Sequence, residues 1–213
     1  MTGWLADARE SYDTVAESYA RIMLTRLDDL PVTRGVLAMF AECVRAVGGP
    51  VVDVGCGPGH VTVLLQGLGL DASGIDLSPE MVRLARRAHP GLRFTVGSMT
   101  ELDVPDGSIG GVLAWYSTIH VPDEDMPTVA GHLHRVLRPG GVAMLGFHVG
   151  DQRNHKTEGY GGHPMRIDVY WRPVERVARW LRDAGFATEV TVLLDPDADV
   201  PGENRSARRP DQR

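Results

Sequence analysis

A short apolar run, Val51-Val52-Asp53-Val54, breaks into the turn Gly55-Cys56-Gly57-Pro58-Gly59, and no other stretch restricts the folds open to this chain so strongly. Closely spaced glycines clear side chains from a turn, so backbone amides can approach a ligand, and the helix beyond adds a positive dipole. That helix carries Val61, Leu64 and Leu65, and a second strand, Ala72 to Leu77, follows it. Asp76 stands at the carboxyl end of this strand, where a carboxylate can accept both hydroxyls of a ribose. Strand, glycine turn, helix, strand and acid, in that order, read as a nucleoside site.

The rest of the chain repeats the alternation. Two amphipathic helices come first, one through Trp4, Ala8, Tyr12, Val15, Tyr19 and Ile22, the other through Val36, Leu37, Phe40, Val44 and Val47. Ser78-Pro79-Glu80 starts a further helix, with Ser78 as its cap. Strands are predicted near Leu92 to Val96, Ile109 to Trp115 and Val142 to Phe147. A helix from about Asp123 stops at Arg138-Pro139-Gly140-Gly141, and another spans about Pro173 to Ala184. Phe186 to Leu194 is predicted as a sixth strand. Such alternation implies an α/β fold, a Rossmann-like, doubly wound and mostly parallel sheet with an N-terminal helical extension. Residues 1–48 form that extension, a lid or cap, and residues 49–213 the core, with a polar insertion at 149–172.

The nucleoside is not a nicotinamide by the usual fingerprint, because His60 takes the place of the third glycine counted from Gly55. No P-loop pattern occurs either. The stretch VVDVGCGPGHVT resembles the first motif of the class I S-adenosylmethionine-dependent methyltransferases, of the small-molecule type. GIDLSPEMV resembles the segment that follows, VGSMTELDVPDGSIGGVLAWYSTIHV the region of the third and fourth strands, and LRPGG a later family feature. The resemblance implies S-adenosylmethionine as cofactor and a role for each matching position. Asp53 would orient the methionine amino group, Gly55 and Gly57 would line methionine and ribose, and Asp76 would take the ribose hydroxyls. Met81, Ser98 and Met99 would sit beside the adenine, with Ser98 where many relatives carry an aspartate. Trp115 and Tyr116 would flank the methionine moiety or the substrate. Family members end on a seventh strand, for which residues after Leu194 offer no apolar alternation. An open sheet edge permits a homodimer.

For the methyl acceptor the residues say less. His120 and His148 fall on the ligand edge of the sheet, and either could act as a base if the acceptor is protonated. Tyr12 belongs to a helix that could close over the cofactor. Arg153, Lys156 and Arg166 concentrate positive charge in the insertion of an otherwise acidic chain of net charge −6. Such a cluster can clamp a carboxylate, phosphate or phosphonate, so the expected acceptor is small and polar or anionic, methylated on oxygen. N- or C-methylation of a small metabolite, or cofactor binding without catalysis, are the alternatives. The acidic balance and the absence of a [DN]-P-P-[YF] stretch after the fourth strand speak against nucleic acid as partner. Two cysteines are too few for a disulfide framework, and no metal site is expected. MTGWLADARE lacks the features of a signal peptide and no apolar run reaches membrane length, so the expectation is a cytoplasmic protein without membrane contact.

Overall fold

The structure, a computed structural model, describes residues 3–23 and 30–194. Its central sheet holds five parallel strands: β1 (Val51–Val54), β2 (Ala72–Asp76), β3 (Arg93–Val96), β4 (Ile109–Trp115) and β5 (Leu137–Gly146). Their spatial order is β3-β2-β1-β4-β5, so the chain changes direction across the sheet between β1 and β4. Val51 lies opposite Ala72 on one side and Gly111 on the other.

Parallel strands need crossovers, and the helices both supply them and cover the sheet. One face packs on α2 (Pro31–Val47), α3 (His60–Gly67) and α4 (Pro79–Ala88), through Leu37, Phe40, Val61, Leu65, Val82 and Ala85. The other face packs on α5 (Met126–Val136) through Met126, Val129 and Leu133, and α6 (Val174–Asp183) lies against α5. Neighbouring residues of β1 feed opposite layers: Val51 belongs to the first core, Val52 and Val54 to the second. The α4 start follows the sequence, since Ser78 Oγ accepts from the Met81 amide at 3.1 Å and Pro79 stands in the first turn.

The N-terminal helix α1 (Gly3–Met23) crosses the carboxyl end of the sheet. Its Asp13 accepts from Ser78 Oγ at 2.5 Å and from the Glu80 amide at 3.2 Å, and its Glu17 pairs with Arg83 and Arg87 of α4. Trp4 Nε1 donates to Asp125 at 2.7 Å, which ties the start of α1 to the loop before α5.

The structure gives the polar insertion a regular form, and one expectation fails. The insertion at 149–172 is an antiparallel hairpin, β6 (Gln152–Gly159) and β7 (His163–Trp171), joined at Tyr160-Gly161-Gly162. Met165 and Ile167 pack against Ala8 and Val15 of α1, and Val169 is buried on the same side, an alternation that gives β7 a buried face. Phe186 to Leu194 is not a sixth strand: among the described residues it pairs with none, and Val190, Val192 and Leu193 are exposed. Apolar alternation makes a strand only where another strand supplies its backbone partners. The residues after Leu194, where a seventh strand would fall, lie outside the described residues.

Candidate active site

A cavity of about 820 Å³ opens where the strand order reverses, between the turns after β1 and β4, and runs under α1 to the inner face of the hairpin. The β1 turn floors one end. Gly55 and Gly57 adopt positive φ (76° and 54°), and a Cβ on Gly55 would strike Ser117 at 2.2 Å. The Asp76 carboxylate accepts from the Gly57 amide at 2.7 Å through one oxygen and from the Ser78 amide at 2.9 Å through the other. Each oxygen keeps a further lone pair for a ligand hydroxyl. Asp53 is buried beneath the turn and accepts from Thr62 Oγ1 at 2.7 Å.

Burial pushes the Asp53 carboxyl up to about 7 and Asp76 up to about 6, with backbone and hydroxyl donors opposing the shift. A carboxyl whose folded pKa exceeds its unfolded value contributes stability at low pH that is lost as pH rises through the folded value. Asp53→Asn is therefore expected to unfold at higher temperature than the parent protein at pH 8, with the gap closing toward pH 4. A shift of this size corresponds to about 4 kcal/mol at the upper limit. Thermal melts at the two pH values check this; equal gaps at both would refute the assignment.

The other end of the cavity is aromatic. A 3-10 turn, Thr118–His120, follows β4 and delivers His120 under α1. His120 Nδ1 lies 2.8 Å from the Asp168 carbonyl oxygen, and Nε2 lies 2.7 Å from the Tyr12 hydroxyl. Burial lowers the His120 pKa to about 4, so the ring is neutral near pH 7. Tyr12 stands edge-on to Tyr19 and His120, and Tyr19 stands edge-on to Tyr160. His148 stacks on Trp171 and packs against Tyr116. Tyr116 and Tyr160 are the described non-glycine residues with positive φ, 51° and 49°, and both line the cavity. Backbone held in this region costs about 1–3 kcal/mol and persists where surrounding structure imposes it.

Arg172 fixes this end. Its side chain is 1% exposed, and its guanidinium donates to Asp123 (2.8 Å), to the Thr118 carbonyl (3.0 Å) and to the Val121 carbonyl. It also lies over the rings of Tyr170 and Trp180. One side chain thus clamps the foot of the hairpin to the turn that carries His120.

Residues 51–141 match the family model of a methyltransferase domain. A Mycobacterium protein described as an uncharacterized methyltransferase is 32% identical over 155 residues, 70% of this chain and 58% of its own length. The 2-methyl-6-phytyl-1,4-hydroquinone methyltransferase of Synechocystis is 34% identical over 165 residues, 64% of this chain and 51% of its own length. Residues 51–141 form a methyltransferase domain of the class I S-adenosylmethionine-dependent type. The chain spans a little over half the length of these relatives. The fold is also that of the DhpI–SAH complex, with a TM-score of 0.66 at 22% identity over 87% of this chain and 89% of that one.

The cofactor of this family is S-adenosylmethionine, and the residues of the cavity fit it. A glycine turn with side chains excluded, a carboxylate with spare lone pairs and a second buried carboxylate suit a ribose beside a ligand carrying a sulfonium and an ammonium. The cavity brings together Asp53, Gly55, Gly57, Asp76, Met81, Ser98, Met99, Trp115, Tyr116, Tyr12, His120, His148 and Lys156. Ser98 Oγ is engaged by Thr100, accepting its amide at 3.2 Å and lying 2.7 Å from its hydroxyl.

Arg153 and Arg166 do not reach the cavity. Strand alternation turns Arg153 outward, where it pairs with Asp168 at 2.6 Å, and Arg166 pairs with Asp7 and Glu10 of α1. The expected three-residue clamp is not assembled, and Lys156 alone of the three faces inward. Asn154, Tyr160, Trp171 and Arg172 were not singled out by sequence. The alternation Met165, Ile167, Val169, Trp171 after Gly161-Gly162 is the signal that could have revealed the hairpin behind three of them.

Proposed function

We propose that this chain transfers a methyl group from S-adenosylmethionine to an oxygen of a small anionic acceptor bound under the hairpin. The carrying observation is the polarity of one continuous cavity, with Asp53 and Asp76 at the glycine turn and Lys156 at the hairpin. Lys156 is the one Lys or Arg among the described lining residues, and its ammonium lies 5.8 Å from the centre of the Tyr160 ring. The bound cofactor supplies an electrophilic methyl on sulfur, and the bonding pair stays with sulfur when the methyl leaves. What the chain supplies is alignment and exclusion of water: α1 roofs the cavity, the hairpin walls it, and the tyrosine rings press the acceptor toward the turn.

Lys156 anchors the acid group of the acceptor in this reading, with Asn154 and Gln152 beside it on the inner face of β6. Lys156→Ala should raise KM for an acidic acceptor by roughly 10- to 100-fold, the worth of one charge-assisted contact, with kcat changed far less. Arg153→Ala, on the outer face, should leave KM within about twofold. Initial-rate assays of S-adenosylhomocysteine formation with small carboxylic and phosphonic acids test both. An unchanged KM in Lys156→Ala would remove the anion subsite from the account.

A further inference from the structure

We infer that the reacting group of the acceptor is a hydroxyl still carrying its proton, presented to the oxygen of Tyr12, and that Tyr12 and His120 together take that proton as the methyl is transferred. The inference rests on the proposed methyl transfer and narrows its acceptor. It follows from the direction of two hydrogen bonds. The Asp168 carbonyl can only accept, so the proton of the neutral His120 ring sits on Nδ1 and donates to it across 2.8 Å. Nε2 is then an acceptor, and the only proton of the Tyr12 hydroxyl is committed to it across 2.7 Å. Tyr12 therefore meets its other neighbours only as an acceptor.

Tyr160, hydrogen-bonded to Tyr12, can then only donate to that oxygen, which leaves one lone pair for the acceptor. A carboxylate or phosphonate oxygen has no proton to give Tyr12 and would meet lone pair with lone pair. A hydroxyl has one. The acid group of the acceptor thus belongs at Lys156 and its hydroxyl at Tyr12, which describes a small hydroxy acid made into a methyl ether.

The proton path balances. As the C–O bond forms, the hydroxyl proton passes to Tyr12 Oη, the Tyr12 proton passes to His120 Nε2, and the electron pair of the acceptor oxygen holds the new methyl. His120 ends as imidazolium, Tyr12 as a neutral phenol. A hydroxyl oxygen becomes strongly acidic once methylated, so a weak base is sufficient. The groups facing His120 are Tyr12 from α1, Lys156 from β6, the Asp168 carbonyl of β7, Arg172 just after β7, and His148 after β5. The cations among them oppose its protonation at rest. Arg153 (2.6 Å) and His155 (2.9 Å) engage the Asp168 carboxylate on the outer face, so only its backbone carbonyl meets His120.

Nitrogen-15 NMR of histidine-labelled protein reads the tautomer without any acceptor. At pH 7 His120 should carry its proton on Nδ1, and Tyr12→Phe should move the Nε2 resonance to that of a nitrogen without a hydrogen bond. A proton on Nε2, or an imidazolium at pH 7, would overturn the inference. In turnover, 4-hydroxybenzoate should yield the methyl ether while benzoate yields no methyl ester; ester formation would also overturn it. Tyr12→Phe should lower kcat by roughly 100-fold with cofactor affinity unchanged. Loss of cofactor affinity in the parent protein would instead count against the underlying methyl-transfer reading.

Discussion

Asp76→Ala is expected to weaken S-adenosylmethionine binding by at least about 100-fold, because two hydrogen bonds to an ionised acceptor are worth about 1.5 kcal/mol or more each. The carboxylate stands at the end of β2 with its oxygens already oriented by the Gly57 and Ser78 amides. It also restrains the turn that it faces, so the substitution removes a ligand contact and loosens the glycine cradle together. Asp76→Asn separates these effects, since an amide oxygen can still accept one of the two backbone bonds. Its affinity should fall between parent and alanine variant. Isothermal titration of the three proteins checks the order, and parent-like affinity in Asp76→Ala would place the ribose elsewhere.

Arg172→Ala should cost stability on a scale that a surface arginine never does. Removing the guanidinium takes away the donor to the buried Val121 carbonyl, leaves the Thr118 carbonyl with the Val121 amide alone, and leaves Asp123 with Arg176 as its partner. A buried carbonyl left without its donor costs about 1–3 kcal/mol, and the space vacated by a large buried side chain adds about as much again. For a domain of this size that corresponds to a fall in Tm of about 10 °C. Arg172→Lys should recover little, because an ammonium cannot span three acceptors set in the fork of a guanidinium. Differential scanning calorimetry measures the loss. A change under about 1 kcal/mol would mean that the hairpin is held by its contacts with α1 instead.

The cofactor half of the molecule was legible because its chemistry and its fold use the same residues. Gly55 and Gly57 are glycines for backbone reasons, and Asp76 ends a strand, so pattern and position agree. The hairpin was harder to read for a physical reason. β6 runs Gln-Arg-Asn-His-Lys-Thr-Glu-Gly, polar on both faces, since one face meets solvent and the other faces the cavity. Period-two patterning requires one apolar face, and only β7 has one. A count of positive charge in this segment therefore merged Lys156, which faces inward, with Arg153 and Arg166, which the pleat and the α1 acids turn outward. Val190 and Val192 mislead in the opposite sense, with strand-like alternation but no paired strand among the described residues. Arg172 looks like any surface arginine in sequence; its role depends on three acceptors about 50 residues away.

Titration of S-adenosylmethionine into the protein, followed by calorimetry, tests the central claim most directly. One molecule should bind per chain, with affinity in the micromolar range, and S-adenosylhomocysteine should compete for the same site. No saturable binding of either at millimolar concentration would contradict the assignment of the cavity between the β1 turn and the hairpin.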